Sequence, residues 1–114
     1  MGGSDGSLPL FKGTLDLLVL KALSFGPQHG YGITTWLESR SDGSIDVDDS
    51  ALYQALHRLA GRRLVEAEWG VSDNNRRARF YTLTARGRGA LREESDTWER
   101  YVASVGAILA RESR

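Results

Sequence analysis

Residues 50–84 read SALYQALHRLAGRRLVEAEWGVSDNNRRARFYTLT, and the change of period inside this stretch decides the fold. Leu52, Ala55, Leu56 and Leu59 recur at the spacing of one buried helical face, so a helix is expected with Tyr53, Gln54, His57, Arg58 and Arg62 turned elsewhere. After Gly61 the period falls to two. Val65, Ala67, Trp69 and Val71 alternate with Glu66, Glu68 and Gly70, and the run from Phe80 to Leu83 supplies a β-prone partner. A loop around Ser72 to Arg76 closes the two runs into a hairpin whose tip carries Arg76, Arg77 and Arg79. A helix followed by such a hairpin reads as a winged helix-turn-helix, and the outward residues of its helix are of the kinds that read base edges or phosphates.

Upstream, Thr14 to Leu23 (TLDLLVLKAL) is apolar at Leu15, Leu17, Leu18, Val19, Leu20, Ala22 and Leu23. That is wide for a surface helix and implies burial on more than one side, against its own domain and against a partner chain. Gly26-Pro27 stops it. A second helix is expected from near Tyr31 to about Ser39, with Ile33, Trp36 and Leu37 as its buried stripe, and Tyr31 and Trp36 are read as core residues rather than site residues. The connection from Ser41 to Asp49 holds Asp42, Asp46, Asp48 and Asp49. A calcium loop starting at Asp42 would put Val47 where glycine is required and Tyr53 where a bidentate glutamate is required, so a solvated loop is the better reading. Asp48, Asp49 or Ser50 can accept from the free backbone N–H groups at the next helix start.

Downstream, Thr84 is placed to cap a long helix reaching about Arg111. Its apolar residues carry a seven-residue beat. Leu91, Trp98 and Val105 take one core position, Glu94, Tyr101 and Ile108 the other, and Val102 and Leu109 widen the stripe. Such a helix would be about 40 Å long, more than one small domain covers, so its seam is expected to dimerise; a shorter helix folded back on its own domain is the alternative. The expected architecture is therefore mainly α with a small β-hairpin, arranged as a disordered tail over 1–9, a winged helix-turn-helix domain over 10–83 and a C-terminal dimerisation helix over 84–114.

Composition narrows the function classes. A chain of 114 residues has room for one modest core and little room for a large enzyme pocket. It has no cysteine, which removes disulfides, thiolate zinc sites and cysteine nucleophiles and suits a cytoplasmic location. No apolar run approaches the roughly 18 residues of a membrane span, and MGGSDGS lacks the basic region and apolar core of a signal peptide. The two histidines, His29 and His57, are far apart in sequence, and no phosphate loop or metal-ligand spacing occurs, so no catalytic residue, metal or cofactor is expected. Net charge is zero, but its distribution is not even. Residues 54–92 hold nine arginines against Glu66, Glu68 and Asp73, while Asp42 to Asp49 holds four acids and no base. A local basic region of this kind attracts phosphate whatever the total charge.

The phrases GTLDLLVLKAL (13–23), GPQHGYGI (26–33), ALYQALHRL (51–59) and NNRRARFYTLTARG (74–87) resemble the PadR family of bacterial transcriptional regulators, in its branch with a single C-terminal helix. The resemblance implies a homodimer that binds a double-stranded operator, usually as a repressor, with the C-terminal helix packed on the partner's first helix. Leu15, Leu18, Leu91, Trp98, Tyr101, Val105 and Ile108 are then the dimerisation candidates. The family commonly has glycine, then serine or threonine, before Leu-Tyr and proline after it; this chain has Ser50-Ala51 and Gln54. Ser50 can substitute for the displaced hydroxyl, and Gln54 gains a side chain able to read adenine.

The DNA-binding candidates are accordingly Ser50, Tyr53, Gln54, His57 and Arg58 on the helix and Asn75, Arg76, Arg77 and Arg79 at or beside the wing tip. Tyr53 suits a phosphate, and Gln54, His57 and Arg58 occupy the face expected in the major groove. Trp98 falls in the seam. Drug-sensing members that the chain resembles stack flat apolar effectors on such an indole, although packing alone also explains an aromatic there. A winged helix used only to bind protein is the rival reading, favoured by the acidic loop and the neutral total.

Overall fold

A computed structural model of the chain describes residues 8–111. Helix α1 (Thr14–Leu23) leads into a two-residue strand β1 (Gln28–His29), then α2 (Gly30–Arg40) and α3 (Asp49–Gly61). The hairpin β2 (Val65–Val71) and β3 (Arg77–Leu83) follows, and α4 (Ala85–Leu109) ends the fold. Val19, Leu20 and Leu23 of α1, Ile33 of α2 and Leu52, Leu56 and Leu59 of α3 lose essentially all solvent contact. Leu64, Val65, Tyr81 and Leu83 close this core from the sheet side. The α3 stripe predicted from period 3.6 is the face that the structure buries.

The hairpin is part of a three-stranded antiparallel sheet in the order β1-β3-β2, with Gln28 paired to Tyr81 and His29 to Phe80. The sequence reading, which expected a hairpin alone and a turn at His29-Gly30, is corrected here. Two residues are too few to show an alternating pattern, and β1 exists because β3 offers it an edge. Tyr31 is also corrected: it is 77% exposed and not part of the core. Trp36 is half-buried, with its ring 5.5 Å from that of Phe25.

The start of α4 is tied to the rest of the domain. The Thr84 hydroxyl accepts from the Gly87 amide at 2.9 Å, as the capping residue should, and the Thr84 amide donates to the Leu64 carbonyl at 3.0 Å. Ala90 and Leu91 pack against the core, and the helix then runs on beyond the domain, giving the molecule extents of 59 × 35 × 20 Å. The helix ends at Leu109, two residues short of the expected Arg111, because Ala110 is extended. Residues 1–7 of the expected tail and residues 112–114 of the expected helix lie outside the described residues. Leu8, assigned to that tail, has its amide bonded to the Ser44 carbonyl at 2.8 Å. No helix of the described residues is long and apolar enough to cross a membrane.

Candidate nucleic-acid interface

Helix α3 is set by its cap. Asp48 accepts from the Ala51 amide at 2.8 Å, so of the three capping candidates the aspartate before the helix acts. With the cap and the buried stripe fixed, Ser50, Tyr53, Gln54, His57 and Arg58 line one shallow concavity of about 520 Å³. The five helix residues singled out from sequence therefore share a surface. Ser50 and Gln54 lie within 3.5 Å through Oγ and Nε2, at the outer limit of a hydrogen bond, which leaves both available. Arg58 is not a loose surface arginine. Its Nη2 and Nε donate to Asp16 Oδ1 and Oδ2 of α1 at 2.6 and 3.2 Å. That hydrogen bonding, reinforced by the charge of Asp16, holds the guanidinium pKa above its ordinary value. No signal in the sequence links two residues so far apart.

The wing turn explains Asn75 by its backbone. Ser72 donates to the Arg76 carbonyl and Asn75 donates to the Ser72 carbonyl, both at 2.8 Å, closing a three-residue loop of Asp73, Asn74 and Asn75. Asn75 has φ 62°, the left-handed conformation that such a loop needs at its last position and that asparagine tolerates. Arg76 stands exposed beside that turn. Arg77 and Arg79 lie further in, along β3. The register pairs Trp69 with Arg79 and Val71 with Arg77, on the same face that carries Ala67 opposite Tyr81 and Val65 opposite Leu83 into the core. Both guanidinium groups lie over the Trp69 ring, at 4.5 Å for Arg77 and 5.5 Å for Arg79. Trp69 is thus a site residue that the sequence reading used only to find the strand. Assigning the hairpin register would have exposed it, because the loop length places it opposite Arg79.

Between α2 and this face of the wing runs an open groove of about 870 Å³. Its walls carry Tyr31, Trp36, Tyr53 and Trp69, and Arg76, Arg77 and Arg79 outweigh Asp73 in its charge. Tyr53 borders both concavities, so the α3 surface and the wing arginines form one continuous tract. Partial burial, with smaller contributions from Tyr81 and Asp49, pushes the Tyr53 hydroxyl pKa up, which keeps it a donor. Its place against α2 depends on Gly30, where a Cβ would collide with the Tyr53 hydroxyl. His29 caps α2, its Nδ1 accepting from the Gly32 amide at 3.0 Å.

The expected dimerisation residues fall into two groups. Leu15, Leu18 and Leu91 are partly buried against the core of their own chain. Trp98, Tyr101 and Ile108 are exposed and Val105 is half-exposed. Glu94, which interrupts the apolar beat, is engaged within the chain: Arg62 Nη2 donates to it at 3.1 Å.

A helix-turn-helix core, a three-stranded sheet with an arginine-bearing wing and a long terminal helix define a winged helix-turn-helix protein. Residues 19–93 match the transcriptional regulator PadR-like family, and the chain belongs to it. A PadR family transcriptional regulator from Eggerthella lenta is 30% identical, over 89% of this chain and 86% of that one, with a TM-score of 0.73. A PadR-like transcriptional regulator from Bacillus cereus is 25% identical over 89% and 96%, with a TM-score of 0.75. An uncharacterised protein of Lysinibacillus sphaericus is 29% identical over 78% of this chain and 82% of its own length. The function therefore lies in DNA-binding transcription regulation.

Proposed function

We propose that the chain represses transcription as a homodimer, setting its two α3 helices into successive major grooves of an inverted-repeat operator, about 34 Å apart. The continuous tract from Gln54, His57 and Arg58 through Tyr53 to Arg77 and Arg79 carries this reading, because it offers base-reading and phosphate-holding groups side by side. Gln54 and Arg58 read base edges, Ser50 and Tyr53 donate to phosphate, and the wing arginines hold the neighbouring backbone. The exposed seam of α4 supplies the dimer contact, and a flat apolar effector stacked at Trp98 relieves repression.

Binding to the duplex just upstream of the protein's own gene, against a scrambled duplex across a range of salt, tests the reading. Selective binding that weakens steeply with salt is expected, with a slope of about −0.9 for each phosphate neutralised. Absence of any DNA preference at every salt would favour the rival winged helix that binds only protein, which the acidic run Asp42 to Asp49 and the neutral total charge support.

A further inference from the structure

Of Gln54, His57 and Arg58, it is Arg58 whose side chain is hydrogen-bonded to a different helix. Its side chain is 52% exposed while that of Asp16 is 14% exposed, so the carboxylate forms a fixed anchor and the guanidinium lies at the boundary. The pairing is side-on, through Nε and Nη2. A planar guanidinium held along that edge keeps its other edge, an N–H of Nη1 and the second N–H of Nη2, for a further partner. Among the described residues no other hydrogen bond engages it. Gln54, His57 and Arg58 stand three and four residues apart on α3 and border the same concavity, so Arg58 shares the reading surface with them.

We infer that Asp16 is a specificity-determining positioning residue, which holds Arg58 so that the unengaged guanidinium edge meets O6 and N7 of a guanine in each operator half-site. The inference rests on the operator-binding reading above. Two physical effects act in opposite directions on different duplexes. Holding the arginine in advance lowers the ordering cost of the one geometry that matches guanine. A carboxylate near the backbone repels phosphate on every duplex, whatever its sequence. Asp16 should therefore sharpen discrimination without raising overall affinity. Asp16 also sits beside Leu15 in the first turn of α1, so the same contact links the reading helix to the helix expected at the dimer contact.

The test begins with duplexes selected from a randomised pool by the full-length wild-type protein. Affinities are then compared on the selected duplex, on the duplex with adenine in place of the guanine to which Arg58→Ala is indifferent, and on scrambled DNA. The wild type should prefer guanine by about ten- to a hundredfold. Asp16→Asn should reduce that ratio to within about threefold while binding scrambled DNA as well as the wild type or better, and it should change nothing in an Arg58→Ala background. Arg58→Lys, which keeps the charge and loses the side-on geometry, should lose the same preference. An unchanged guanine ratio in Asp16→Asn would overturn the inference. So would an equal rise on all three duplexes, the mark of a latch that withholds Arg58 from DNA, or an equal fall on all three, the mark of a merely structural prop. If the wild type enriches no sequence, the operator reading falls and this inference falls with it.

Discussion

Arg77 and Tyr53 show how single side chains divide the proposed work. Arg77, stacked on Trp69 at the groove face, has a charge suited to phosphate. Arg77→Ala should weaken binding to all duplexes alike and reduce the salt slope by about one, whereas Arg58→Ala should also relax sequence preference. Equal effects of both changes on every duplex would reject this division. Tyr53 carries a pH dependence with a definite sign. The folded state raises its pKa by burial, and next by Tyr81 and Asp49. The neutral hydroxyl is the form that the fold favours, so the associated stability is complete below pH about 10 and drains away as pH rises through the raised value. The urea midpoint of the wild type should accordingly fall more steeply above pH about 10 than that of Tyr53→Phe; parallel curves would mean that the shift has no thermodynamic weight. Residues of this kind were unevenly legible in the sequence. The outward set on α3 followed from the apolar stripe, since fixing four buried positions fixes the rest of the helix. Asp16 did not, because a contact between α1 and α3 leaves no local pattern.

At the scale of elements, the joint between the hairpin and α4 is the tightest place in the fold. Gly87 stands where a Cβ would collide with the Leu64 carbonyl and press on Leu83. The obstacle is backbone, not the far end of a flexible side chain, so it cannot simply swing aside. Gly87→Ala should cost about 1–3 kcal/mol in denaturant unfolding, although alanine is the better helix former. Thr84→Ala, which removes the cap to Gly87 and the hydroxyl bond to the Arg63 carbonyl, should cost about 1–2 kcal/mol. Gly87→Ala as stable as the wild type would show that α4 shifts freely on the sheet. The cap at Thr84 was readable from residue type and from the change of period after it. The close approach at Gly87 was not, since a glycine in a first helical turn has no sequence mark of what lies opposite. The same limit hid β1, which has meaning only beside β3, and the first three residues of β3, where Arg77, Ala78 and Arg79 look like loop until they are paired with β2.

For the whole molecule, the length of α4 sets the decisive question. Its 25 residues span about 37 Å, and contact with its own core is concentrated at Ala90 and Leu91. Beyond that point Trp98 is 39% exposed, Tyr101 59% and Ile108 81%, on a helix with the repeat of a two-helix seam. A contiguous apolar stripe of this size, left in water, would be a liability for a lone chain. The proposed dimer also has a consequence for DNA. Two linked reading helices convert the second half-site contact into an intramolecular one, multiplying affinity without adding a contact. Ile108→Lys places a charge on the exposed last turn of α4, at the end opposite the wing joint, so it should separate assembly from recognition. In sedimentation at low concentration this variant should be a monomer where the wild type is a dimer, and Trp98→Ala should be intermediate. On an inverted repeat Ile108→Lys should bind at least about tenfold more weakly than the wild type, whereas on a duplex with a single half-site the two should bind alike. Loss on both duplexes would mean that the substitution damages the winged helix itself. Unchanged sedimentation for both variants would reject the seam, and dimers in all three would place the contact on another surface.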